Sequence, residues 1–175
     1  MTDYTRLPIG PDAPQRVNAV IEIPKGSVNK YEYDKKLHVF RLDRTLFSPV
    51  HYPGDYGFIP GTLGDDGDPL DVLVLLESAT FPGCLMEVRP IGVLRMLDQG
   101  KGDEKILAVA ESDPVYREVK DYPQMFTHTL REIEHFFSVY KSLEGKKTEI
   151  AGWDGVEVAK RIILEGQKRL ALGSS

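Results

Sequence analysis

Four aspartates are crowded into one short stretch of the chain, Gly64-Asp65-Asp66-Gly67-Asp68-Pro69-Leu70-Asp71. Carboxylates this close repel one another and raise each other's pKa unless cations neutralise them, and Mg²⁺ prefers such hard oxygen ligands. The apolar run Val72-Leu73-Val74-Leu75-Leu76 follows at once, so Asp71 lies at the edge of a predicted buried strand, where an unpaired charge is costly. The pattern therefore favours a metal site over a solvated acidic turn, the alternative that Asp, Gly and Pro also allow.

A calcium-binding EF-hand loop does not fit this segment. Counted from Asp66, Leu70 takes the fifth position, which should supply an oxygen ligand, and Asp71 takes the sixth, which requires glycine. A second acidic group, Asp98-Gln99-Gly100-Lys101-Gly102-Asp103-Glu104-Lys105, lies between two predicted strands. Alone it is typical of a hairpin loop. If both loops lie at one end of a barrel, together they form a site for several metal ions.

An anionic substrate would need hydrogen-bond donors beside these carboxylates. Spacing alone cannot select them from the 22 lysines and arginines, although Lys30, Arg44, Lys105 and Lys141 are candidates. The segment Tyr52-Pro53-Gly54-Asp55-Tyr56-Gly57 is more informative, because prolines and glycines stiffen and bend it while the tyrosines offer phenol donors. The alternative interpretation is a packed aromatic turn.

Composition limits the partners of such a site. The 175 residues are 41% hydrophobic and 28% charged, which is typical of one globular domain, and the formal net charge is −5. This acidic balance lacks the basic footprint of a general binder of nucleic acid or membrane surfaces. Since the sequence has one cysteine, Cys84, no export signal and no apolar run of membrane-spanning length, we expect a cytoplasmic protein.

The elements around these residues are predicted to be strands first and helices last. Hydrophobic patterning predicts strands over Val17–Ile23, Tyr31–Asp34, Leu37–Arg41, Val72–Leu76, Met86–Leu97, Ile106–Ala110 and Thr148–Ala151, and helices over Phe126–Tyr140 and Val156–Leu170. Pro49–Pro69 is interpreted as a functional loop and residues 1–14 as an extended N-terminal arm of a single domain, 1–175. This order predicts an α+β fold in which helices pack on one side of a small antiparallel sheet or barrel.

Taken together, these segments resemble the family of soluble inorganic pyrophosphatases (family I), from about Val17 to Leu170. The strongest element is Asp66-Gly67-Asp68-Pro69-Leu70-Asp71-Val72, which is similar to the family signature D-[SGDN]-D-[PE]-[LIVMF]-D-[LIVMGAC]. Further similar segments are Ile21-Glu22-Ile23-Pro24, Lys30-Tyr31-Glu32, Asp43-Arg44, Tyr52 to Gly57, Arg89-Pro90-Ile91-Gly92 and His135-Phe136-Phe137-Ser138-Val139-Tyr140-Lys141.

The resemblance implies a fold, a reaction and an assembly. The fold is α+β, with a small five-stranded antiparallel OB-like β-barrel flanked by two helices. The reaction is hydrolysis of pyrophosphate to two orthophosphates by direct in-line attack of a Mg-activated water or hydroxide. Several Mg²⁺ ions are expected in each active site, with Mn²⁺ or Zn²⁺ as substitutes. The assembly is a homo-oligomer, commonly a hexamer, with no nucleic-acid or membrane partner.

The resemblance also implies a role for individual residues. Asp66, Asp71 and Asp103 would hold the principal metal ions, Asp98 would bind a further one with Asp103, and Glu22 would reach a substrate-linked ion. The residues expected to bind the phosphates are Lys30, Arg44, Tyr56, Tyr140 and Lys141. Asp68, close to two of the ligands, would accept the proton of the attacking water, and Glu32, Tyr52 and Lys105 would support the site. Family members usually carry an acidic residue after the Asp98 position, where this chain has Gln99.

Two other classes compete with this interpretation. Arg131-Glu132-Ile133-Glu134 superficially resembles the helix of a Nudix nucleotide pyrophosphohydrolase, but His135 and Phe136 interrupt the acidic pair that such an enzyme requires. An OB-like nucleic-acid module could use Tyr52, Tyr56 and Phe58 to stack bases. Aspartates at the predicted groove argue against this second class, because they would repel phosphates that no cation neutralises.

Overall fold

Nine strands and two α-helices build residues 1–173, the part of the chain that the computed structural model describes; the end of the predicted domain, Ser174 and Ser175, lies outside it. The strands are β1 Val17–Ile23, β2 Asn29–Asp34, β3 Val39–Thr45, β4 Asp55–Ile59, β5 Leu70–Leu75, β6 Leu85–Asp98, β7 Lys101–Gly102, β8 Lys105–Ala110 and β9 Thr148–Gly155. The helices are α1 Thr127–Val139 and α2 Val156–Gly173. Neither helix is long and apolar enough to cross a membrane.

Five of the strands close into a ring in the order β1-β4-β5-β8-β6, with β6 returning to pair with β1. Closure is possible because β6 has 14 residues, so its first part pairs with β1 while the rest pairs with β8 and β9. A closed ring leaves its strands without free edges, which protects them from edge-to-edge association. The predicted five-stranded barrel with two flanking helices is confirmed.

One pair in the ring differs from the predicted antiparallel barrel, because β5 and β8 run parallel. A parallel neighbour needs a connection that returns the chain to the same end of the sheet. Here the long strand β6 makes that return, and β8 then folds back antiparallel along β6. The sequence order alone did not indicate this, since no helix lies between β5 and β8.

Strand β4 lies inside the segment Pro49–Pro69 that was predicted to be a loop, and it is buried along its whole length between β1 and β5. Gly57 is needed there, because a Cβ at this position would lie 1.9 Å from the Val20 carbonyl oxygen. The glycines and prolines around β4 are typical of loops, so the sequence pattern did not indicate a strand there. Glycine within the strand permits the close approach of β1. The acidic loop, residues 60–69, joins β4 to β5.

The hairpin β2–β3 forms a separate two-stranded sheet beside the barrel. The N-terminal arm is not extended throughout: Tyr4–Arg6 form a 3₁₀ turn, and the Tyr4 ring packs edge-on against Tyr33 and Phe40 of the hairpin. These aromatic contacts attach the arm to the hairpin.

The helices cover two apolar clusters of the barrel. Helix α1 buries Ile133, Phe136 and Phe137, and helix α2 buries Ala159, Ile163 and Gly166. The faces agree with the predicted helical periods. Through these contacts the ends of both helices come close to the loops that carry the predicted site residues.

Candidate active site

The acidic loop is short and held by its own hydrogen bonds. The Gly64 N–H donates to the Asp68 carbonyl at 2.7 Å, and the Asp68 N–H donates to Asp66 Oδ1 at 2.9 Å. Gly67 takes a left-handed conformation, with φ of 85°, that lets the chain turn between them. The loop therefore presents its carboxylates from a compact turn just before β5.

A cleft of about 460 Å³ opens between this loop, the hairpin β2–β3 and the end of α1, beside the end of the barrel where β5 and β8 begin. All the predicted site residues except Arg44 and Asp98 line it. They are Glu22, Lys30, Glu32, Tyr52, Tyr56, Asp66, Asp68, Asp71, Asp103, Lys105, Tyr140 and Lys141. The structure thus brings both acidic groups of the sequence to one place, as their pairing required.

Lys105 lies at the centre of the cleft's base with only 4% of its surface exposed. Because β5 and β8 are parallel and begin side by side, its Nζ reaches Asp71 Oδ2 at 2.8 Å and Asp103 Oδ1 at 2.9 Å. Burial lowers the pKa of the Lys105 ammonium, but the charges of Asp71 and Asp103 outweigh it and hold the pKa well above its ordinary value. Lys105 is thus a fixed positive charge that links the two acidic loops.

The donor set fits a divalent cation. Asp66, Asp71, Asp103 and Glu22 offer carboxylate oxygens from three separate segments to one cleft, and Mg²⁺ needs only a few protein oxygens because it retains several waters. Among residues 1–173, no three acidic or histidine side chains are already grouped closely enough to enclose an ion. The ammonium of Lys105 lies between two of the carboxylates instead.

Glu22 is held at the end of β1, where its Oε2 accepts a hydrogen bond from the Tyr33 N–H at 2.8 Å. Burial, and after it the negative charge of Asp71, raise the pKa of Glu22 to about 7 against the hydrogen bond from the Tyr33 N–H, which lowers it. The cleft is lined by six carboxylates and four lysines, and an excess of acidic groups is a property expected of a cation site.

Three buried tyrosines supply neutral donors. Burial raises the pKa of Tyr52, Tyr56 and Tyr140 above the ordinary value for a phenol, so each keeps its proton near neutral pH. A protonated phenol can donate a hydrogen bond to a phosphate oxygen without adding charge. The two rings of Tyr52 and Tyr56 pack against each other, and both residues also line the cleft.

Asp98 lies outside the lining of the cleft but one contact away, since Lys141 Nζ is 2.5 Å from its Oδ2. Burial raises the pKa of Asp98, but the hydrogen bond and charge of Lys141 outweigh burial and lower it. The adjacent Gln99 has a left-handed backbone with φ of 52°, and its N–H donates to the Lys147 carbonyl at 2.9 Å.

Arg44 also lies just outside the lining. It is opposite Lys30 in the hairpin register, and its guanidinium contacts Asp43 at 2.5 Å and Glu144 at 2.8 Å. Lys30 shares the same Asp43 carboxylate at 3.2 Å. The two cations are therefore held side by side at the rim by acidic partners.

Several lining residues were missed by sequence reasoning. The most informative is Lys35, in the hairpin turn, whose Nζ is 2.6 Å from Asp68 Oδ1. Lys35 lies after the end of β2, outside the strand alternation that Lys30 and Glu32 share, so no local pattern in the sequence identifies it. The other lining residues not predicted are Thr5, Ile23, Tyr31, Tyr33, Phe58, Pro69 and Phe137.

Fold and cleft together fit the class of hydrolases that act on phosphate-containing substrates, because carboxylates, lysines and phenols face one cleft. Comparison with known proteins narrows this class. The inorganic pyrophosphatase family model matches residues 19–171. An inorganic pyrophosphatase from Synechocystis is 52% identical over 163 residues, covering 93% of this chain and 96% of that protein. One from Halalkalibacterium halodurans is 51% identical, covering 87% and 93% of the two chains.

The solved structure of an inorganic pyrophosphatase from Thermus thermophilus superposes with a TM-score of 0.95 at 42% identity, covering 97% of this chain and 99% of that one. The chain belongs to the inorganic pyrophosphatase family. The family, the fold class and the enzyme activity predicted from the sequence are confirmed, and membership implies a divalent metal cofactor.

Proposed function

We propose that this chain hydrolyses inorganic pyrophosphate to two orthophosphates by direct in-line attack of water, with Mg²⁺ as its divalent cation. One observation carries the proposal: carboxylates from β1, the acidic loop and the loop before β8 face the same cleft as lysines and phenols. A substrate with several negative charges and the cations that neutralise them can therefore be bound in one place.

The carboxylates divide the binding of cations among them. Asp66, Asp71 and Asp103 would hold the principal ions, Asp98 would take part in binding a further, outer one, and Glu22 would reach an ion linked to the substrate. When bound there, divalent cations lower the pKa of a coordinated water and offset phosphate charge. Mg²⁺ suits these hard oxygen donors, several ions bind in each active site, and Mn²⁺ or Zn²⁺ can substitute.

The phosphate groups are bound by charge and by neutral donors. Lys30, Arg44 and Lys141 neutralise the phosphoryl oxygens as the bridging bond breaks, and the phenols of Tyr56 and Tyr140 donate hydrogen bonds without adding charge. Three further side chains keep these residues in place, namely those of Glu32, Tyr52 and Lys105. Lys105 does so by holding Asp71 and Asp103 in a fixed relation.

Asp68 accepts the proton of the attacking water. Its side chain is 64% exposed and lines the cleft, so water reaches it, and the Lys35 ammonium lies 2.6 Å from its Oδ1. A carboxylate at hydrogen-bonding distance from the water is what general-base catalysis requires. The reaction then needs no covalent phosphoenzyme.

We propose that residues 1–175 act as a single domain that assembles as a homo-hexamer in the cytoplasm. Large apolar side chains that are exposed in the single chain, among them Phe126, Val115 and Phe81, support an assembly that buries them. Size-exclusion chromatography with light scattering tests the hexamer, and a monomeric mass at working concentration would contradict it.

The activity is tested by orthophosphate release from pyrophosphate, with and without Mg²⁺, in the presence of nucleoside triphosphates as competing substrates. We expect release that depends on the cation, stops after chelation and returns on adding Mg²⁺. Release that is independent of divalent cations, or preferential hydrolysis of the triphosphates, would overturn the proposal.

A further inference from the structure

Helix α2 touches the acidic loop from the side away from the cleft. The Leu63 N–H donates to the Gly166 carbonyl at 3.0 Å, and Arg169 Nη1 donates to the Leu63 carbonyl at 2.8 Å. Both backbone polar groups of Leu63 are therefore held by one short part of α2. Of the two bonds, the one from the guanidinium is assisted by charge, which makes it the stronger.

The contact of α2 with the loop is unusually close. A Cβ at Gly166 would lie 2.8 Å from the side chain of Leu70 and 3.3 Å from that of Thr62. These two residues lie near the two ends of the loop, and the Leu70 N–H donates to Thr62 Oγ1 at 3.1 Å. The base of the loop is thus closed by its own bond and packed directly on the glycine of α2.

A continuous series of bonds leads from Arg169 to the carboxylates of the cleft. Leu63, which accepts from Arg169, precedes Gly64, whose N–H donates to the Asp68 carbonyl at 2.7 Å. Asp68 in turn donates its own N–H to Asp66 Oδ1. A displacement of Leu63 would therefore move the turn that presents the carboxylates of the acidic loop.

The surroundings of Arg169 are acidic. It borders a second, smaller cleft of about 180 Å³ on the back of the loop, which Asp66, Asp71, Glu104 and Glu165 also line. Arg169 Nη2 is 3.1 Å from Asp65, but that side chain is 97% exposed, and an ion pair in water contributes little. The bond to the Leu63 carbonyl is the contact that can transmit position to the loop.

We propose that Arg169 is a positioning residue for catalysis: it fixes the acidic loop from behind so that Asp66 and Asp71 present their carboxylates in the arrangement that binds divalent cations. The inference rests on the proposed function, because it assigns these aspartates to metal binding. It predicts that losing Arg169 weakens metal binding more than it changes the fold.

The test measures Mn²⁺ binding to the full chain by titration calorimetry, without substrate, in wild type and Arg169→Met. We expect roughly 10- to 100-fold weaker binding in the variant, the range found when groups that orient metal ligands are removed. We also expect kcat to recover at high Mg²⁺, because the ligands themselves remain. Arg169→Lys should bind Mn²⁺ with intermediate affinity, since a lysine supplies charge but not the planar fork.

Two variants serve as matched controls. Arg161→Met removes another arginine of α2, which forms an ion pair with Glu165 at 4.0 Å, and Asp65→Asn removes the exposed ion pair of Arg169. Both should bind Mn²⁺ within twofold of wild type. Wild-type affinity in Arg169→Met and Arg169→Lys would overturn the inference while leaving the proposed function intact, whereas a wild type that neither binds Mn²⁺ nor releases orthophosphate would overturn the proposed function.

Discussion

Two regions of the molecule hold aspartates in opposite ways: the buried strand β4 and the cleft beside the acidic loop. In β4, Asp55 is fully buried, and its carboxylate accepts hydrogen bonds from the Lys25 N–H at 2.8 Å, the Thr80 N–H at 3.1 Å and the Thr80 hydroxyl. In the cleft, Asp71 and Asp103 share the ammonium of Lys105. The partners of the first are mostly fixed backbone groups; those of the second are side chains.

The difference teaches what makes a carboxylate available for chemistry. Backbone donors cannot move away, so the oxygens of Asp55 stay occupied and stabilise the fold. The Lys105 ammonium contacts one oxygen of each cleft carboxylate, Asp71 Oδ2 and Asp103 Oδ1, so the second oxygen of each can accept a further positive partner. Burial separates the two regions as well, since Asp55 is fully buried whereas the side chains of Asp71 and Asp103 are 33% and 24% exposed.

The largest expected effect is that of Asp68→Asn. We expect the rate of pyrophosphate hydrolysis to fall by about 10²- to 10⁴-fold, the usual range for general-base catalysis, with a changed pH–rate profile. The melting temperature should hardly change, because the side chain is exposed and loses only the Lys35 ion pair. Steady-state orthophosphate release measures this, with Asp65→Asn as the control from the same loop. Near-normal turnover would remove Asp68 from the base role.

A smaller effect, of the opposite kind, is expected for Asp55→Asn. The amide nitrogen would replace one accepting oxygen and face either the Lys25 N–H or the Thr80 donors, so the free energy of unfolding should fall by about 2–3 kcal/mol. For a chain of this length that corresponds to about 2–4 °C in melting temperature per kcal/mol. Denaturant unfolding measures it, and Thr80→Val, which removes one donor, should cost less. Lost metal binding at unchanged stability would break the comparison between the two regions.

The smallest effect is expected for Gln99→Glu, which adds a carboxylate next to Asp98 at the outer edge of the cleft. The Mg²⁺ concentration for half-maximal activity should fall by roughly fivefold or less, because a partly exposed charge is screened by water. Gln99→Asn, which keeps a neutral amide at the left-handed position, should leave it unchanged. An equal shift in both variants would show that backbone conformation, not charge, sets the outer site.

Local patterns predicted much of the fold. The bounds of β1 agree at both ends with the prediction, and α2 begins at Val156 as expected, because alternating and helical hydrophobic periods mark these segments strongly. Strand β4 was missed, since burial on both faces and the glycine at 57 remove the alternation that identifies strands. The parallel pairing of β5 with β8 is a long-range arrangement, and no local pattern specifies its direction.

The residues of the candidate site also divide into those that a local sequence pattern indicates and those that depend on long-range contacts. Asp66 and Asp71 stood out because of charge crowding before an apolar run, and the resemblance to a known family supplied most of the others. Their roles remain predictions. Lys35 and Arg169 act through contacts between segments far apart in sequence, and neither belongs to a recognisable local pattern.

The side-by-side start of β5 and β8 ties the electrostatics of the cleft to the folding of the barrel. A slip of β8 by one residue would turn Lys105 to the other face of the sheet and remove the ammonium that contacts Asp71. A chain whose barrel has closed in the wrong alignment therefore lacks the ammonium that offsets part of the negative charge of the cleft. The register that completes the barrel therefore also places the ammonium that joins the two acidic loops of the cleft.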